Sequence, residues 1–357
     1  MSKLLITGGA GFIGSNFVRH WRRTHTADRL VVLDALTYAG HYASIEDVVD
    51  GEGVIFVRGD IRDEEHSYEL LRRHDIDVIV HFAAESHVDR SISGPDAFVD
   101  TNINGTHALL KAARRAWLLE GGGVDHRFHH ISTDEVYGSL GPADPAFHEL
   151  TRYAPNSPYA ASKAASDFLV RAYHHTYGMR TAITNCSNNF GPYQFPEKLI
   201  PLFILNCLHG RPLPIYGDGL NVRDWLYVED HCRAIDQVIH GAAAGSTYNV
   251  GGENELPNLT LIDAICALVD AAFQKRPVLR EKYPRSPCAG GASAAELKTF
   301  VQDRPGHDRR YAIDMSRLKQ ELGFSLSVNW RQGLAATIDW YVDHDDWWRP
   351  LTERAIR

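Results

Sequence analysis

Two short stretches of the chain carry residue types that could perform acid and base chemistry. Tyr159 and Lys163 lie four positions apart, and Ser157 followed by Pro158 predicts the N-cap and the first residue of a helix. The phenol and the ammonium would then lie one turn apart on one helix face. A phenol ordinarily titrates at about pH 10, but a nearby cation favours the phenolate, so Tyr159 is a candidate base near neutral pH.

Asp134 and Glu135 place two adjacent carboxylates after an apolar run that predicts a strand. The carboxyl end of a strand is where open α/β sheets bind ligands. Each pattern also has an ordinary interpretation: a Tyr-x-x-x-Lys helix face is commonly solvated surface, and Asp-Glu after a strand is commonly turn or capping chemistry. The chemical interpretation is favoured because both stretches follow a nucleotide-binding signature.

That signature lies at the N-terminal end of the sequence. Gly9, Gly11 and Gly14 fit G-x-G-x-x-G between a predicted strand at residues 3–7 and a predicted helix, and Asp34 ends the next strand about 20 residues later. The glycines let the backbone approach a pyrophosphate at the helix N-terminus, and Asp34 can accept a hydrogen bond from a ribose 2′-hydroxyl. Because Asp34 would repel a 2′-phosphate, the signature favours NAD over NADP.

The elements that must position these residues alternate between strands and helices. Further strands are predicted at residues 53–57, 77–84, 128–132 and 181–184, and helices at residues 68–73 and 101–117. This alternation predicts the α/β class, with a Rossmann-type doubly wound parallel sheet.

A change of composition near Cys186, towards proline and aromatic residues, predicts a smaller C-terminal substrate-binding α/β lobe. We expect the cofactor domain at residues 1–185, with a return of about 222–250, and the second lobe at residues 186–357. Residues 283–295, rich in small residues and proline, predict an exposed loop.

Composition excludes several classes of protein. The 357 residues suffice for one large or two medium domains, and a net charge of -8 argues against nucleic acid or an anionic membrane as the main partner. The five cysteines are an odd number without a C-x-x-C pair, so neither a standard zinc ribbon nor a disulfide framework is predicted, and we expect no metal. No run of about 18 apolar residues and no leader pattern occurs, which predicts a cytoplasmic protein.

With these motifs together, the chain resembles the extended short-chain dehydrogenases/reductases, and within them the dTDP-glucose 4,6-dehydratases. The glycine motif and the Tyr/Lys pair are typical of the superfamily, whereas Thr-Asp-Glu and Arg-Pro-Gly-His-Asp are far more selective. The matching stretches span nearly the whole chain and are residues 8–14, 83–89, 132–138, 159–163, 188–192, 223–225 and 303–311.

The resemblance implies a reaction on dTDP-glucose that yields dTDP-4-keto-6-deoxyglucose. Tyr159 would take the 4-hydroxyl proton as hydride passes from C4 to tightly bound NAD, with Lys163 holding the phenolate and Thr133 orienting the hydroxyl. Glu135 would remove the C5 proton, which the new ketone acidifies, while protonated Asp134 donates to the departing 6-hydroxyl. Return of the hydride to C6 would regenerate NAD, so NAD should not be a net reactant.

The resemblance also implies two sets of binding residues. Those for the cofactor are Gly8, Gly11, Phe12, Ile13, Gly14, Asp34, Asp60, Ile61, Ala83, Ala84, Thr101, Tyr159, Lys163 and Asn189. Those for the nucleotide sugar are Ser86, His87, Thr133, Asn188, Asn189, Lys198, Leu199, Pro214, Tyr216, Arg223, Asn258, Arg304 and His307. Arg223 and Arg304 are expected to hold the pyrophosphate because a guanidinium fork matches phosphate oxygens, although a surface salt bridge is the ordinary alternative for either.

Other activities stay open at this point. A 4,6-dehydratase for another nucleoside diphosphate hexose would use the same catalytic residues, and the sequence does not specify the base. A nucleotide-sugar 4-epimerase would not need Asp134 and Glu135, and a decarboxylase would want a further cation for its carboxylate. A noncatalytic NAD-binding protein would not need the intact catalytic residues, which are Thr133, Asp134, Glu135, Tyr159 and Lys163. The resemblance further implies a homodimer formed through the helices of Thr101 and Tyr159. The chain departs from the family pattern in being longer before residue 303, which predicts an insertion at about residues 285–295.

Overall fold

The computed structural model describes residues 1–122, 125–303 and 307–355. Its strands are β1 Lys3–Thr7, β2 Arg29–Asp34, β3 Val54–Arg58, β4 Val78–His81, β5 Arg127–Thr133, β6 Thr181–Cys186, β7 Asn188–Phe190, β8 Leu213–Tyr216, β9 Val222–Tyr227, β10 Ser246–Val250, β11 Glu255–Pro257 and β12 Lys298–Val301.

The helices were predicted only in part, and several more follow in the second half of the chain. They are α1 Phe12–Thr24, α2 Glu64–Arg73, α3 Val88–Ser93, α4 Asp96–Phe98, α5 Thr106–Arg114, α6 Pro158–Tyr177, α7 Leu199–His209, α8 Val228–Gly241, α9 Asn258–Lys275, α10 Val278–Lys282, α11 Ser316–Leu322, α12 Trp330–Asp343 and α13 Asp345–Ala355. Two π-helical stretches, Val99–Gly105 and Arg115–Leu119, join α4 and α5 into one continuous helix that ends at Leu119.

The main sheet confirms the predicted fold class. Within the described residues its order is β10-β6-β5-β4-β1-β2-β3, and every neighbouring pair is parallel. The order of the first six strands is that of a doubly wound Rossmann sheet. The chain adds strands to one side of β1 as far as β3 and then to the other side from β4, so the strand order reverses between β1 and β4. Strands buried on both faces read as continuous apolar runs, as Leu4, Leu5 and Ile6 of β1 do, each with no exposed surface.

Helices cover both faces of this sheet. On one face, Phe17 and Trp21 of α1 pack with Ile235 of α8. On the other, Leu109 of α5 and Val170 of α6 pack with α2. The start of α6 agrees with the prediction, because the Ser157 side chain accepts a hydrogen bond from the Ala160 amide and Pro158 is the first helical residue.

The second half of the chain builds a smaller lobe and also returns to the main sheet. Strands β11, β9 and β7 form one small sheet and β12 pairs with β8, while α7, α9 and α12 enclose an apolar core that includes Phe203, Ile265 and Ile338. The chain returns through α8 and β10, which adds a parallel strand beside β6. The division of the chain at residue 185 stays a prediction.

The prediction of an exposed loop at residues 283–295 was wrong. This segment contains two 3₁₀ turns, Pro287–Gly290 and Ala294–Leu297, and buries Cys288 against the lobe. Asp270 of α9 holds it, accepting hydrogen bonds from the Ser293 hydroxyl at 2.6 Å and the Ala294 amide at 2.8 Å. Small residues allow this close packing, so their abundance did not indicate exposure.

Among the residues described, no helix combines the length and the apolar character that crossing a membrane requires.

Candidate active site

A large cleft lies at the carboxyl ends of the main-sheet strands and encloses about 1880 Å³, including its open mouth. All fourteen residues expected to bind the cofactor line it. Four of the five expected catalytic residues, Thr133, Glu135, Tyr159 and Lys163, line the same cleft. The sheet therefore brings residues from β1, β2, β4, β5 and α6 to one place, as the reversal of strand order predicts.

The glycine turn between β1 and α1 has the shape that a pyrophosphate requires. Gly8 has a φ of +70°, and a Cβ there would lie 2.5 Å from the Ala83 amide nitrogen. A Cβ on Gly14 would lie 2.3 Å from the Gly8 carbonyl oxygen, so this glycine brings α1 close to the turn. Gly11 is the N-cap of α1 and has no side chain to cover the helix N-terminus, which is left open to an anion. The turn therefore fits a dinucleotide phosphate.

Asp34 lies at the end of β2, where the signature placed it. Its carboxylate accepts hydrogen bonds from the Ala10 amide at 2.9 Å and the Leu36 amide at 2.8 Å, and burial raises its pKa. One oxygen thus fixes the glycine turn and the other fixes the loop after β2. Each oxygen keeps a second lone pair, so Asp34 can still accept a ribose hydroxyl.

Tyr159 and Lys163 face the cleft from α6, but the electrostatics around them differ from the simple expectation. The pKa of Tyr159 is raised well above its usual value by burial, and the negative charge of Glu135 adds to the rise. Lys163 donates to the Ile131 carbonyl at 2.8 Å, and burial lowers its pKa to about 8. Lys163 therefore keeps its proton at neutral pH. Its charge alone does not offset burial and the Glu135 charge, which both raise the pKa of Tyr159.

Two residues that the sequence analysis missed lie directly behind Lys163. The Nε2 atom of buried His130 is 3.4 Å from the Lys163 Nζ atom and 3.3 Å from Asp167 Oδ1. Burial raises the pKa of Asp167 to about 6, and the Lys163 charge opposes the rise. Asp167 also accepts hydrogen bonds from the Ser132 hydroxyl at 2.9 Å and the Tyr153 hydroxyl at 2.8 Å. Its four-residue spacing from Lys163 on α6 was a signal that could have revealed it.

The two adjacent carboxyl groups have different environments. Asp134 is 2% exposed and lies beneath the cleft, whereas Glu135 is half-buried on the cleft wall. Burial raises the pKa of Asp134 well above its usual value, the charges of Glu135 and Asp224 raise it further, and Arg223 partly opposes them. The raised pKa favours the protonated form of Asp134, which is the form that a general acid needs. This is the unequal pairing that an acid and a base require.

Five of the residues expected to bind the sugar line the same cleft, and they are Ser86, Thr133, Asn188, Asn189 and Lys198. Lys198 directs its ammonium towards the Ser86 carbonyl oxygen at 3.1 Å. Asn189 is oriented by His231, whose Nδ1 atom lies 2.9 Å from the amide oxygen. Both residues connect the smaller lobe to the edge of the main sheet.

The other expected substrate residues lie outside the lining of this cleft, in or beside the smaller lobe. Arg223 of β9 is buried with its guanidinium 4.3 Å from the Tyr311 ring centroid and donates to the Asp308 carbonyl at 2.8 Å. The rings of Tyr216 and His307 lie 6.3 Å apart. Pro214 is on β8, Leu199 and Asn258 begin α7 and α9, and His87 caps α3. Arg304 lies outside the described residues.

Another group on the cleft wall was not indicated by any sequence pattern. Tyr38 and Glu197 both line the cleft, and burial followed by the Glu197 charge raises the pKa of Tyr38. Burial also raises the pKa of Glu197, whose Oε1 atom has no hydrogen-bond partner among the described residues. Arg90 stacks on the Tyr38 ring at 4.0 Å. These side chains come from two separate loops and from α3, which only the fold brings together.

Comparison with known proteins places this geometry in a family. The GDP-mannose 4,6-dehydratase family matches residues 5–337. The chain is 50% identical to a dTDP-glucose 4,6-dehydratase of Neisseria meningitidis, covering all of this chain and 98% of the relative. It is 52% identical to one of Xanthomonas campestris with the same coverage.

A solved structure agrees with the sequence relatives. The dTDP-glucose 4,6-dehydratase of Streptomyces venezuelae, crystallised with NAD bound, is 46% identical and superposes with a TM-score of 0.86. The alignment covers 98% of this chain and 99% of that one. The matches extend over the whole cleft and both lobes. The chain therefore belongs to the GDP-mannose 4,6-dehydratase family of extended short-chain dehydrogenases/reductases, and within it to the dTDP-glucose 4,6-dehydratases.

Proposed function

We propose that the chain converts dTDP-glucose to dTDP-4-keto-6-deoxyglucose as an NAD-dependent hydro-lyase. The observation that carries this proposal is the pair of carboxyl groups beside Tyr159, with Asp134 buried beneath the cleft and Glu135 open to it. A 4-epimerase needs no such acid and base pair, whereas elimination of water needs both. The relatives at 50% identity and above carry the same activity in their names.

The oxidation step uses the α6 pair. NAD, when bound in the cleft, accepts a hydride from C4 of the sugar and later returns it to C6. We assign to Tyr159 the acceptance of the 4-hydroxyl proton, with Thr133 bonding the same hydroxyl. Because burial and Glu135 raise the pKa of Tyr159, the phenolate needs opposing positive charge, which Lys163 and the bound nicotinamide ring together provide.

The elimination step uses the two carboxyl groups. The new 4-ketone acidifies the C5 proton, and Glu135, half-buried on the cleft wall, would take it. Asp134, whose pKa is raised well above its usual value by burial, would donate a proton to the 6-hydroxyl as that group departs as water. The double bond that forms between C5 and C6 then accepts the returning hydride at C6 and, at C5, the proton that Glu135 holds. The proton that Tyr159 took from the 4-hydroxyl equals the one that Asp134 gave to the departing water, so its return through solvent resets both groups. Atoms balance, with one water lost.

The nucleotide would extend from the cleft into the smaller lobe. Lys198 borders the cleft, and Arg223 supplies a buried guanidinium close enough to act on the pKa of Asp134. We assign to Arg223 a contact with the pyrophosphate, since a planar guanidinium binds two phosphate oxygens at once. The same assignment for Arg304 rests on the sequence motif alone.

The proposal is tested by incubating the purified protein, without added cofactor, with dTDP-, UDP- and CDP-glucose separately and recording product masses. We expect loss of one water, about 18 Da, from dTDP-glucose in preference to the other two substrates. Turnover should need no added cofactor, because the bound NAD is regenerated in each cycle. Loss of water from UDP- or CDP-glucose instead would keep the mechanism and change the substrate. Interconversion of epimers without mass change would refute the dehydratase.

We also propose a homodimer formed through α6 and the helix from α4 to Leu119. Large apolar side chains stand exposed along these helices, with Phe168 55%, Val99 45% and Leu119 61% accessible. Such exposure on two adjacent helices is typical of a subunit interface. Phe168→Asp should shift the protein towards monomer in sedimentation velocity, whereas Val278→Asp, at a side chain 64% exposed on α10 of the smaller lobe, should not. A wild-type monomer at micromolar concentration would contradict the proposal.

The cytoplasm is our proposed location for the protein. All five cysteines are free thiols and all are buried, which suits a reducing compartment. Cell fractionation followed by detection of the native protein tests this, and recovery in an oxidising compartment would refute it.

A further inference from the structure

A compact group of histidines surrounds one carboxylate at the end of α1 remote from the cleft. Asp236 of α8 has its carboxylate within 3.0 Å of three imidazoles, those of His20, His25 and His240. His20 lies within α1, His25 directly follows it, and His240 is one turn beyond Asp236 on α8. The mechanism uses none of them.

Three atoms of this group converge on one point. His25 Nε2 lies 3.0 Å from Asp236 Oδ1, His240 Nδ1 lies 2.9 Å from the same oxygen, and all three ligand atoms lie within 4.8 Å of one another. A zinc ion at about 2 Å from each ligand holds such atoms roughly 3.3 Å apart, so only small side-chain movements are needed. Asp236 and His240 also have the i, i+4 spacing with which one helix face presents two ligands.

The surroundings hold these ligands in place. The His20 Nε2 atom donates to Asp236 Oδ2 at 2.8 Å from a side chain only 9% exposed. His25 Nε2 lies 2.9 Å from Oδ2 and 3.0 Å from Oδ1, and His240 Nδ1 lies 2.9 Å from Oδ1. The Trp21 indole contacts both rings, tilted against His25 at 4.3 Å and stacked on His240 at 5.4 Å, and the two imidazole rings lie 5.0 Å apart. A buried partner that orients a ligating carboxylate is the usual outer layer of a metal site.

We propose that His25, Asp236 and His240 form a binding site for a divalent transition-metal ion, with Zn²⁺ as the best match. Two imidazole nitrogens and one carboxylate oxygen are the ligands that Zn²⁺ prefers. Softer ions prefer thiolates, and harder ions prefer a larger number of oxygen ligands. His240 is half exposed, which leaves a fourth position for water.

The site would be structural, since it is remote from the chemistry. Helix α1 begins at the glycine turn and has 13 residues, so at a rise of about 1.5 Å per residue its far end lies roughly 20 Å from the cofactor cleft. The ion would link the end of α1 to the end of α8 and so fasten the returning segment to the Rossmann sheet. The expectation of no metal came from cysteine spacing, which carries no information about residues more than 200 positions apart.

The test is titration of chelator-treated protein with ZnCl₂ by isothermal calorimetry and with CoCl₂ by absorption spectroscopy. We expect one equivalent of Zn²⁺ to bind at micromolar or lower Kd and to raise Tm by a few degrees. The Co²⁺ form should show the visible bands of a low-coordinate site without a thiolate charge-transfer band, which separates it from binding at a cysteine.

His25→Gln and His240→Gln should each weaken Zn²⁺ binding at least tenfold and abolish the Tm rise while leaving dehydratase activity unchanged. His175→Gln, at an exposed histidine of α6, is the matched control and should bind as the wild type does. Because His240 is half exposed, its variant should fold normally. Absence of stoichiometric binding to the wild type, or equal binding by all three variants, would overturn the proposal.

Discussion

The Asp134→Asn substitution separates the two halves of the proposed reaction. Asp134 is buried, and burial raises its pKa well above the usual value, which favours the neutral carboxyl group. Asparagine matches that neutral form in size and charge. Its Oδ2 atom has no hydrogen-bond partner among the described residues, and the Thr133 hydroxyl donates to Oδ1 at 3.4 Å, a contact that an amide oxygen can retain. We therefore expect the free energy of unfolding to change by less than about 1 kcal/mol.

The catalytic cost should be much larger and confined to elimination. Loss of a general acid slows its step by about 10²- to 10⁴-fold, or about 3 to 5 kcal/mol of activation free energy. Oxidation at C4 uses Tyr159 and should proceed at nearly the wild-type rate. The variant should therefore accumulate reduced nicotinamide in a single turnover, whereas the wild type returns its hydride before much accumulates.

Stopped-flow absorbance of the reduced nicotinamide, together with rapid quench and mass analysis, measures both steps. Asp144→Asn is the control, since Asp144 is an exposed carboxylate nearby that accepts from the Gly141 amide at 2.7 Å. It should retain wild-type rates for both steps. Equal slowing of oxidation and elimination in Asp134→Asn would refute the acid role and indicate that Asp134 only positions the sugar.

Three further outcomes follow from the same geometry. Tyr159→Phe should lose the first hydride transfer by at least about 10²-fold, so no reduced cofactor forms on mixing with substrate, and formation at the wild-type rate would remove the tyrosine from the mechanism. Asp167→Asn removes a negative charge that supports the Lys163 ammonium, so the Lys163 pKa of about 8 should fall and the alkaline limb of the kcat profile should move to lower pH; a uniform loss at every pH would indicate a structural role. Gly14→Ala places a Cβ 2.3 Å from a backbone carbonyl oxygen and should destabilise the fold by about 1 to 3 kcal/mol in urea titration, whereas Gly290→Ala, with open space around it, should be near neutral.

The parts of the fold that the sequence predicted are those encoded by local pattern. The strand, glycine turn and helix around Gly11 follow from spacing over a few residues, as does the Ser157 cap that orients Tyr159. The carboxyl pair at Asp134 was visible because both groups follow one strand. In each case neighbouring residues in the sequence are also neighbours in space.

The parts that the sequence did not reveal depend on long-range packing. His130 comes from β5 and meets Lys163 of α6 only because the sheet and the helix pack together. Glu197 comes from the smaller lobe, and its raised pKa arises from burial that no local pattern encodes. Segment 283–295 has the composition of a loop, yet Asp270, on a different helix, determines that it packs against the lobe. Burial and charge at such positions are properties of the folded molecule.

The central claim is that one bound cofactor moves a hydride from C4 to C6 of the same sugar. The direct measurement uses dTDP-glucose carrying deuterium at C4, purified protein without added cofactor, and product analysis by mass spectrometry and NMR. We predict that the product loses one water and keeps the deuterium, now on the C6 methyl group. A dehydrated product without deuterium at C6 would contradict the account, because the hydride would then have come from elsewhere.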